Sequence, residues 1–321
     1  MFPDRLGWKT RIAVIAAGLA LAAFPLVDSP FYLELVTKVM VLAIFAMSLD
    51  LLVGVTGLVS LGHAAFFGIG GYISTILARS AGYASFATIL AGGCVAAFVG
   101  FLLGLTCVRL KEWFLAMVTF GFAVILQVVV ATTLAETTGG WDGMISPRLI
   151  PISLDNYLVI EYYVILAATI VSIIAIYLIL RSRAGLAFAA IRENEVEAQA
   201  AGINPVSWKL IAFTISSFLA GIAGALMVHH IGFISPEIFS AENSFWPVIY
   251  SIFGGLGTIS GPIIGTTILT IVWDGLKELG LTYERFIIIG LLLIVVVIFL
   301  PRGLVSLPEK IRERLAQRKK G

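Results

Sequence analysis

The residues that could do chemistry crowd into one apolar stretch. Asp50, Ser60 and His63 lie in or beside Leu49 to Tyr72, where Gly54, Gly57, Gly62, Gly68, Gly70 and Gly71 fall within 18 residues. An ionisable side chain at mid-bilayer costs several kcal/mol. Each glycine inside a helix costs about 1 kcal/mol relative to alanine. A stretch that carries both is kept for close packing or for a path, not for lipid contact. Asp50 reads in two ways: a carboxylate that lines or gates a path, or one that hydrogen-bonds the frayed backbone around Gly54. Thr56, Ser60 and His63 either offer hydrogen bonds to a solute where glycines free the backbone, or serve packing.

Other chemistries find little support. There is no Gly-x-x-x-x-Gly-Lys-[Ser/Thr] phosphate loop, so ATP hydrolysis is not expected in this chain. The histidines are His63, His229 and His230, and the adjacent two point to different helix faces. No Cys/His spacing fits a metal. No serine or cysteine stands with a base at a readable spacing. Cys94 and Cys107 fall in one predicted helix, about 20 Å apart along it, so they cannot pair there. The chain is therefore expected to be no enzyme and to hold neither metal nor cofactor of its own.

The elements that position these residues are membrane spans. Of 321 residues, 60% are hydrophobic and 12% charged, with a mean hydropathy of +1.04; soluble domains carry about 25% charged residues. Long apolar runs with few charges predict an all-α polytopic membrane protein with about eight to ten transmembrane helices, some broken by glycine or proline. The predicted spans are 12–27, 33–53, 61–78, 85–108, 113–135, 158–180, 210–230, a glycine-broken pair 245–258 and 261–274, and 285–300. Residues 12–27 follow Arg5, Lys9 and Arg11 and read as an uncleaved first span, not a signal peptide. The segments 1–11, 109–112, 181–209 and 301–321 hold 16 of the 21 basic residues and fall on one side of this topology. The positive-inside rule makes that side, and both termini, cytoplasmic. The reading divides the chain into a single transmembrane domain, 1–300, and a basic cytoplasmic tail, 301–321. The tail is a topology anchor near anionic headgroups, not a nucleic-acid site.

Two loops stand out. The outer one carries Gly139, Gly140, Trp141 and Asp142, read either as a tight turn or as a docking surface for an extracellular partner. The inner one, 181–209, is expected to form one short helix over Ala184–Ala201 that ends at Gly202. Its apolar residues share the segment with Arg192, Glu193, Glu195 and Glu197, which reads either as a helix that fills a groove on a partner protein or as a solvated helix resting on lipid. Glu34 and Lys38 are spaced to pair within a helix. Gly100-x-x-x-Gly104 is a helix-contact pattern. Gly54-Val-Thr-Gly57-Leu-Val-Ser60 matches Gly254-Gly-Leu-Gly257-Thr-Ile-Ser260, and paired glycine-broken segments of this kind mark substrate paths in transporters.

The run Leu49-Asp-Leu-Leu-Val-Gly-x-x-Gly-x-x-Ser-Leu-Gly-His-Ala-Ala-Phe-Phe-Gly-Ile-Gly-Gly-Tyr72 resembles the signature of LivM-type permeases of branched-chain amino acid ABC importers. So do Ala190-Ile-Arg-Glu-Asn-Glu-x-x-Ala-x-Ala-x-Gly-Ile-Asn204, Thr138-Gly-Gly-x-Asp-Gly143 and Gly254-Gly-Leu-Gly-Thr-x-x-Gly-Pro262. The resemblance covers about 48–276 in the expected order. It implies a second related permease, two cytoplasmic ATP-binding subunits that hold ATP and Mg, and a periplasmic binding protein, all at a bacterial inner membrane. Arg192, Glu193, Asn194, Glu195, Glu197 and Gly202 would then belong to the helix that couples to the ATPase. Gly139, Gly140, Trp141 and Asp142 would face the binding protein. Asp50, Gly54, Gly57, Ser60, His63, Gly254, Gly257 and Ser260 would line the path. Many importers carry Glu-Ala-Ala-x-x-x-Gly in the coupling helix; Glu197-Ala-Gln-Ala-Ala-Gly202 is one residue shorter. Liv-type permeases also serve urea or short amides, and a channel not coupled to ATP is the alternative of a different class.

Overall fold

The computed structural model describes residues 16, 18–26, 29–110, 112–151, 156–307 and 310. The basic segment 1–11, part of the predicted span 12–27, and most of the tail lie outside the described residues. The chain is helical almost throughout: α1 Pro30–Asp50, α2 His63–Ala81, α3 Phe86–Cys107, α4 Glu112–Val128, α5 Tyr157–Arg181, α6 Arg183–Glu193, α7 Glu195–Ala200, α8 Pro205–Ile231, α9 Ala241–Gly254, α10 Ser260–Glu278 and α11 Glu284–Phe299. Wider π-type turns extend α1 to Thr56 and α4 to Thr133. Among the described residues, five segments are long and apolar enough to cross a membrane: Pro30–Thr56, Phe86–Cys107, Trp113–Thr133, Tyr157–Arg181 and Pro205–Ile231. At 14 residues, α9 spans about 21 Å, short of a hydrocarbon core of about 30 Å.

Local chemistry sets the ends. Pro30 and Pro205 stand in the first turns of α1 and α8, where the missing N–H costs nothing. Before α3, Ser85 and Thr88 exchange side-chain and backbone hydrogen bonds as a capping box.

Helix α8 lies at the centre, against α1, α2 and α3. Lipid provides no hydrophobic drive to bring helices together, so close approach and dispersion must do it. Small residues permit that approach. Gly100 faces the Ser217 side chain, Gly104 faces Leu210 and Phe213, and Gly221 sits against Ala96. A Cβ at Gly224 would drive into the Phe67 carbonyl. Gly100 and Gly104 are thus packing residues, as their spacing predicts. Cys94 is exposed and Cys107 buried, and both are free thiols.

The two similar glycine motifs occupy equivalent places. Each ends one helix and leads into the next: α1 into α2 through 51–62, and α9 into α10 through 255–259. Both tips lie at one end of the bundle, with α6, α7 and the chain around 302–305: Gly257 approaches Arg192, and Gly255 approaches the Arg302 carbonyl and Val305. At the opposite end, a two-residue antiparallel pairing of β1 (Met144–Ile145) with β2 (Phe233–Ile234) ties the Gly139–Asp142 loop to the end of α8.

Two expectations are corrected. The helix predicted over Ala184–Ala201 is broken at Asn194, whose backbone is extended (φ −159°, ψ 112°). Its side chain accepts hydrogen bonds from the Val196 and Glu197 amides, at 3.0 and 3.3 Å, and so starts a new helix. Lys38 does not use the partner offered within its own helix. It pairs across the bundle with Asp274, at 2.9 Å.

Candidate functional site

Three polar contacts join α1 to the α9–α10 hairpin at successive levels. Lys38 bonds both Asp274 carboxylate oxygens, at 2.9 and 3.2 Å. The Ser251 hydroxyl donates to the Ala46 carbonyl at 3.4 Å. The Asp50 carboxylate accepts the Gly257 amide at 2.9 and 3.1 Å. Asp50 is buried, and its partner lies in the second glycine break, not in the frayed backbone around Gly54.

The lowest contact forms a joint. The Arg192 guanidinium, from α6, donates to the Gly54 carbonyl. Gly57 leaves the π turn with φ 79°, and Gly257 has φ 73°, in the left-handed region that disfavours side chains. Any Cβ at Gly57 would sit against the Arg192 side chain, and one at Gly257 would fall 2.8 Å from both Arg192 and the Gly54 carbonyl oxygen. At Gly54 itself a Cβ would collide with the Asp50 carboxylate and the Gly257 nitrogen. Asp50, Gly54, Gly57, Gly257 and Arg192 therefore meet as one unit, with room for nothing larger than glycine.

Other residues singled out in the sequence go elsewhere. His63, buried at the start of α2, stacks on Phe45 and puts Nε2 at 2.8 Å from the Ser48 hydroxyl. Ser60 is fully buried in the loop beside α4, where the Leu61 amide donates to the Thr119 hydroxyl. Thr56 donates to the Leu51 carbonyl within its own turn. Gly254 abuts Gly261 across the α9–α10 turn, and Ser260 is exposed. Trp141 and Asp142 are exposed at the far end, with Gly139 and Gly140 beside them.

Beyond the joint, α6 and α7 are held from within and from α8. Asn194 donates to Glu197 at 2.8 Å, and Lys209 pairs with Glu195 at 2.5 Å. Glu193 is exposed, and Gly202, in the turn after α7, faces open space. A cavity of about 380 Å³ lies against this unit, lined by Gly57, Trp113, Arg192, Glu195 and Lys209. A second, of about 350 Å³, opens near the other end, between α1, α8, α9 and α10.

Several groups were missed in the sequence. Asp274 stood inside a predicted span as an unexplained carboxylate, which was the available signal. Glu161, the one charge in the apolar run 158–180, bonds His230 at 3.0 Å. The neighbouring His229 instead reaches the Ser74 hydroxyl (2.7 Å) and the Pro147 carbonyl (2.7 Å). The two histidines do face different ways, and each is engaged in the core.

Comparison with known proteins adds the context for this arrangement. A family model described as a branched-chain amino acid transport system permease component matches residues 31–297. The high-affinity branched-chain amino acid transport system permease proteins LivM of Salmonella typhimurium and Escherichia coli are each 28% identical over 93% of this chain and 76% of their own length. The LivH permease protein of the correspondingly named E. coli system is 26% identical over 83% of this chain and 92% of its own. No solved structure matches.

Proposed function

This chain belongs to the family of permease components of branched-chain amino acid transport systems, and from that premise we propose that it is the membrane-spanning subunit of an ATP-driven importer for branched-chain or related amino acids. In this reading it lies in a bacterial inner membrane with both termini in the cytoplasm. A second, related permease stands beside it, as the likeness to both LivM and LivH proteins supports. Two cytoplasmic subunits bind and hydrolyse ATP with Mg, and a periplasmic binding protein brings the solute to the end that carries Trp141 and Asp142.

The observation that carries the reading is the seat of Arg192. A short helix outside the spans reaches into the point where both glycine breaks meet. A push on α6–α7 therefore arrives at α1 and at the α9–α10 hairpin together, rather than at one helix. That is what an importer needs if ATP-driven motion at one end is to open a path between helices. A channel gives no reason for such a lever.

Proteoliposomes with this chain, a second permease, the ATP-binding subunits and the binding protein test it. ATP-dependent uptake of leucine or isoleucine is the expected result. Flux that ignores ATP would refute the importer reading. Uptake of urea or short amides in place of leucine would keep the ATP-driven permease and replace its solute.

A further inference from the structure

We infer that the cavity between α1, α8, α9 and α10 is a solute site within the permease, holding the charged head and the branched aliphatic tail of a free amino acid; this rests on the amino acid reading above. Its volume, about 350 Å³, falls in the roughly 300–1,000 Å³ range of small-molecule pockets.

The lining divides by chemistry. Leu42, Phe45, Phe67 and Met227 give an apolar floor, and Trp246 and Trp273 give an aromatic wall. That wall is held in place: Trp273 sits edge-on between Trp246 and Phe286, with the Arg285 guanidinium 4.0 Å from its ring centre. The polar side carries Lys38, Glu237 and Asn243, with Asp274 bonded to Lys38.

The charge balance selects the class of solute. Lys38 and Asp274 already neutralise one another. A zwitterion can insert its carboxylate at the ammonium and its own ammonium at the carboxylate, and the net charge of the site does not change. A simple anion or cation would leave one protein charge without its partner, and because the Asp274 carboxylate is largely shielded from solvent, that separation is costly. An uncharged solute of the same shape would have to leave the ion pair closed. The apolar floor then favours an aliphatic side chain over a polar one, by an amount that grows with the area covered.

The position fits a site under control of the joint. From Lys38 to Asp50 is about 18 Å along α1. All three segments that carry Lys38, Trp246 and Asp274 run directly into the breaks at Gly54 and Gly257.

Thiol protection tests the site without depending on ATP. In the assembled complex with Cys94→Ser and Cys107→Ser, Asn243→Cys places a maleimide-reactive thiol in the lining. Leucine should slow its labelling, whereas leucinamide, which lacks the carboxylate, and 4-methylpentanoate, which lacks the amine, should not. Lys38→Met and Asp274→Asn should each raise the leucine concentration needed by roughly tenfold to a hundredfold. The double variant, which leaves no charge alone, should remain impaired. No protection by leucine would overturn the inference, as would equal protection by 4-methylpentanoate, the mark of a pocket for any apolar chain. A double variant with wild-type protection would also overturn it, because a pair that only ties α1 to α10 is replaceable by neutral residues. Leucine uptake by the same complex, measured separately, tells failure of this site from failure of the amino acid reading.

Discussion

Asp50 accepts the amide of Gly257 across 207 residues of sequence, and this bond closes one glycine break onto the other. Both carboxylate oxygens lie within reach of the Gly257 N–H, at 2.9 and 3.1 Å. The same two breaks are the pair whose sequences match. Their likeness therefore has a mechanical meaning: two helical hairpins present the same kind of tip, the tips touch, and Arg192 sits on the contact. The Asp50 bond is the lowest rung of a seam that continues through Ala46–Ser251 to Lys38–Asp274.

Asp50→Ala would leave the Gly257 amide without its acceptor, at a cost of about 1–3 kcal/mol. Asp50→Asn keeps an oxygen at the same place and should cost less. Both proteins should insert, but uptake per ATP hydrolysed should fall, and more for alanine. Thermal unfolding of the purified complex, together with that ratio, checks the order; equal coupling in Asp50→Ala and wild type would show that the bond plays no part in transmission.

Gly54→Ala tests the space at the joint. The added methyl meets the Asp50 carboxylate and the Gly257 nitrogen, and overpacking of this kind costs about 1–3 kcal/mol. Gly275 provides the control. It lies inside α10 with nothing near its would-be Cβ, so Gly275→Ala should be neutral or stabilise by about 0.5–1 kcal/mol. Melting curves of the two variants should move in opposite directions, or only the first should move.

How much of this was legible in the sequence follows from how far apart the interacting residues are. The spans could be read because lipid demands continuous apolar runs, and α1 through α5, α8, α10 and α11 fall close to the predicted ranges. The glycine breaks and Arg192 were legible as motifs. Their meeting was not, because nothing local encodes a contact between Gly54 and Gly257. Lys38 shows the same limit more sharply: Glu34, four residues before it, offered a plausible local partner, while the true one is 236 positions away. Asn194 was the reverse case. An Asn followed three residues later by Glu197 is a helix-start signal, whereas the alanines on either side of it favour one continuous helix.

Asn194→Ala should remove that start signal. The loss of two backbone hydrogen bonds costs about 1 kcal/mol locally, and alanine favours continuing α6 straight into α7. The direction of α7 would then change while the spans stay as they are. Membrane insertion should be normal, and ATP hydrolysis should become less dependent on the solute and its binding protein. Spin-label distances between α6 and α7 report the change directly; an unchanged distance distribution would mean that the packing of Lys209 on Glu195, not Asn194, sets the angle.

Gly202→Trp separates folding from docking. Gly202 has φ 85°, and no atom lies within 4 Å of its would-be Cβ. An added Cβ there meets no other part of the chain, so its internal cost is that of the left-handed backbone, roughly 1–2 kcal/mol. Asn tolerates that conformation best among the other residues, so Gly202→Asn measures the backbone effect with little bulk. If the turn after α7 rests in a groove of an ATP-binding subunit, Gly202→Trp should abolish uptake and weaken assembly with that subunit, while Gly202→Asn keeps most of both. Pull-down of the ATP-binding subunit with each variant, scored beside leucine uptake, decides it: equal losses in the two variants would place the effect in the turn itself and leave the docking assignment without support.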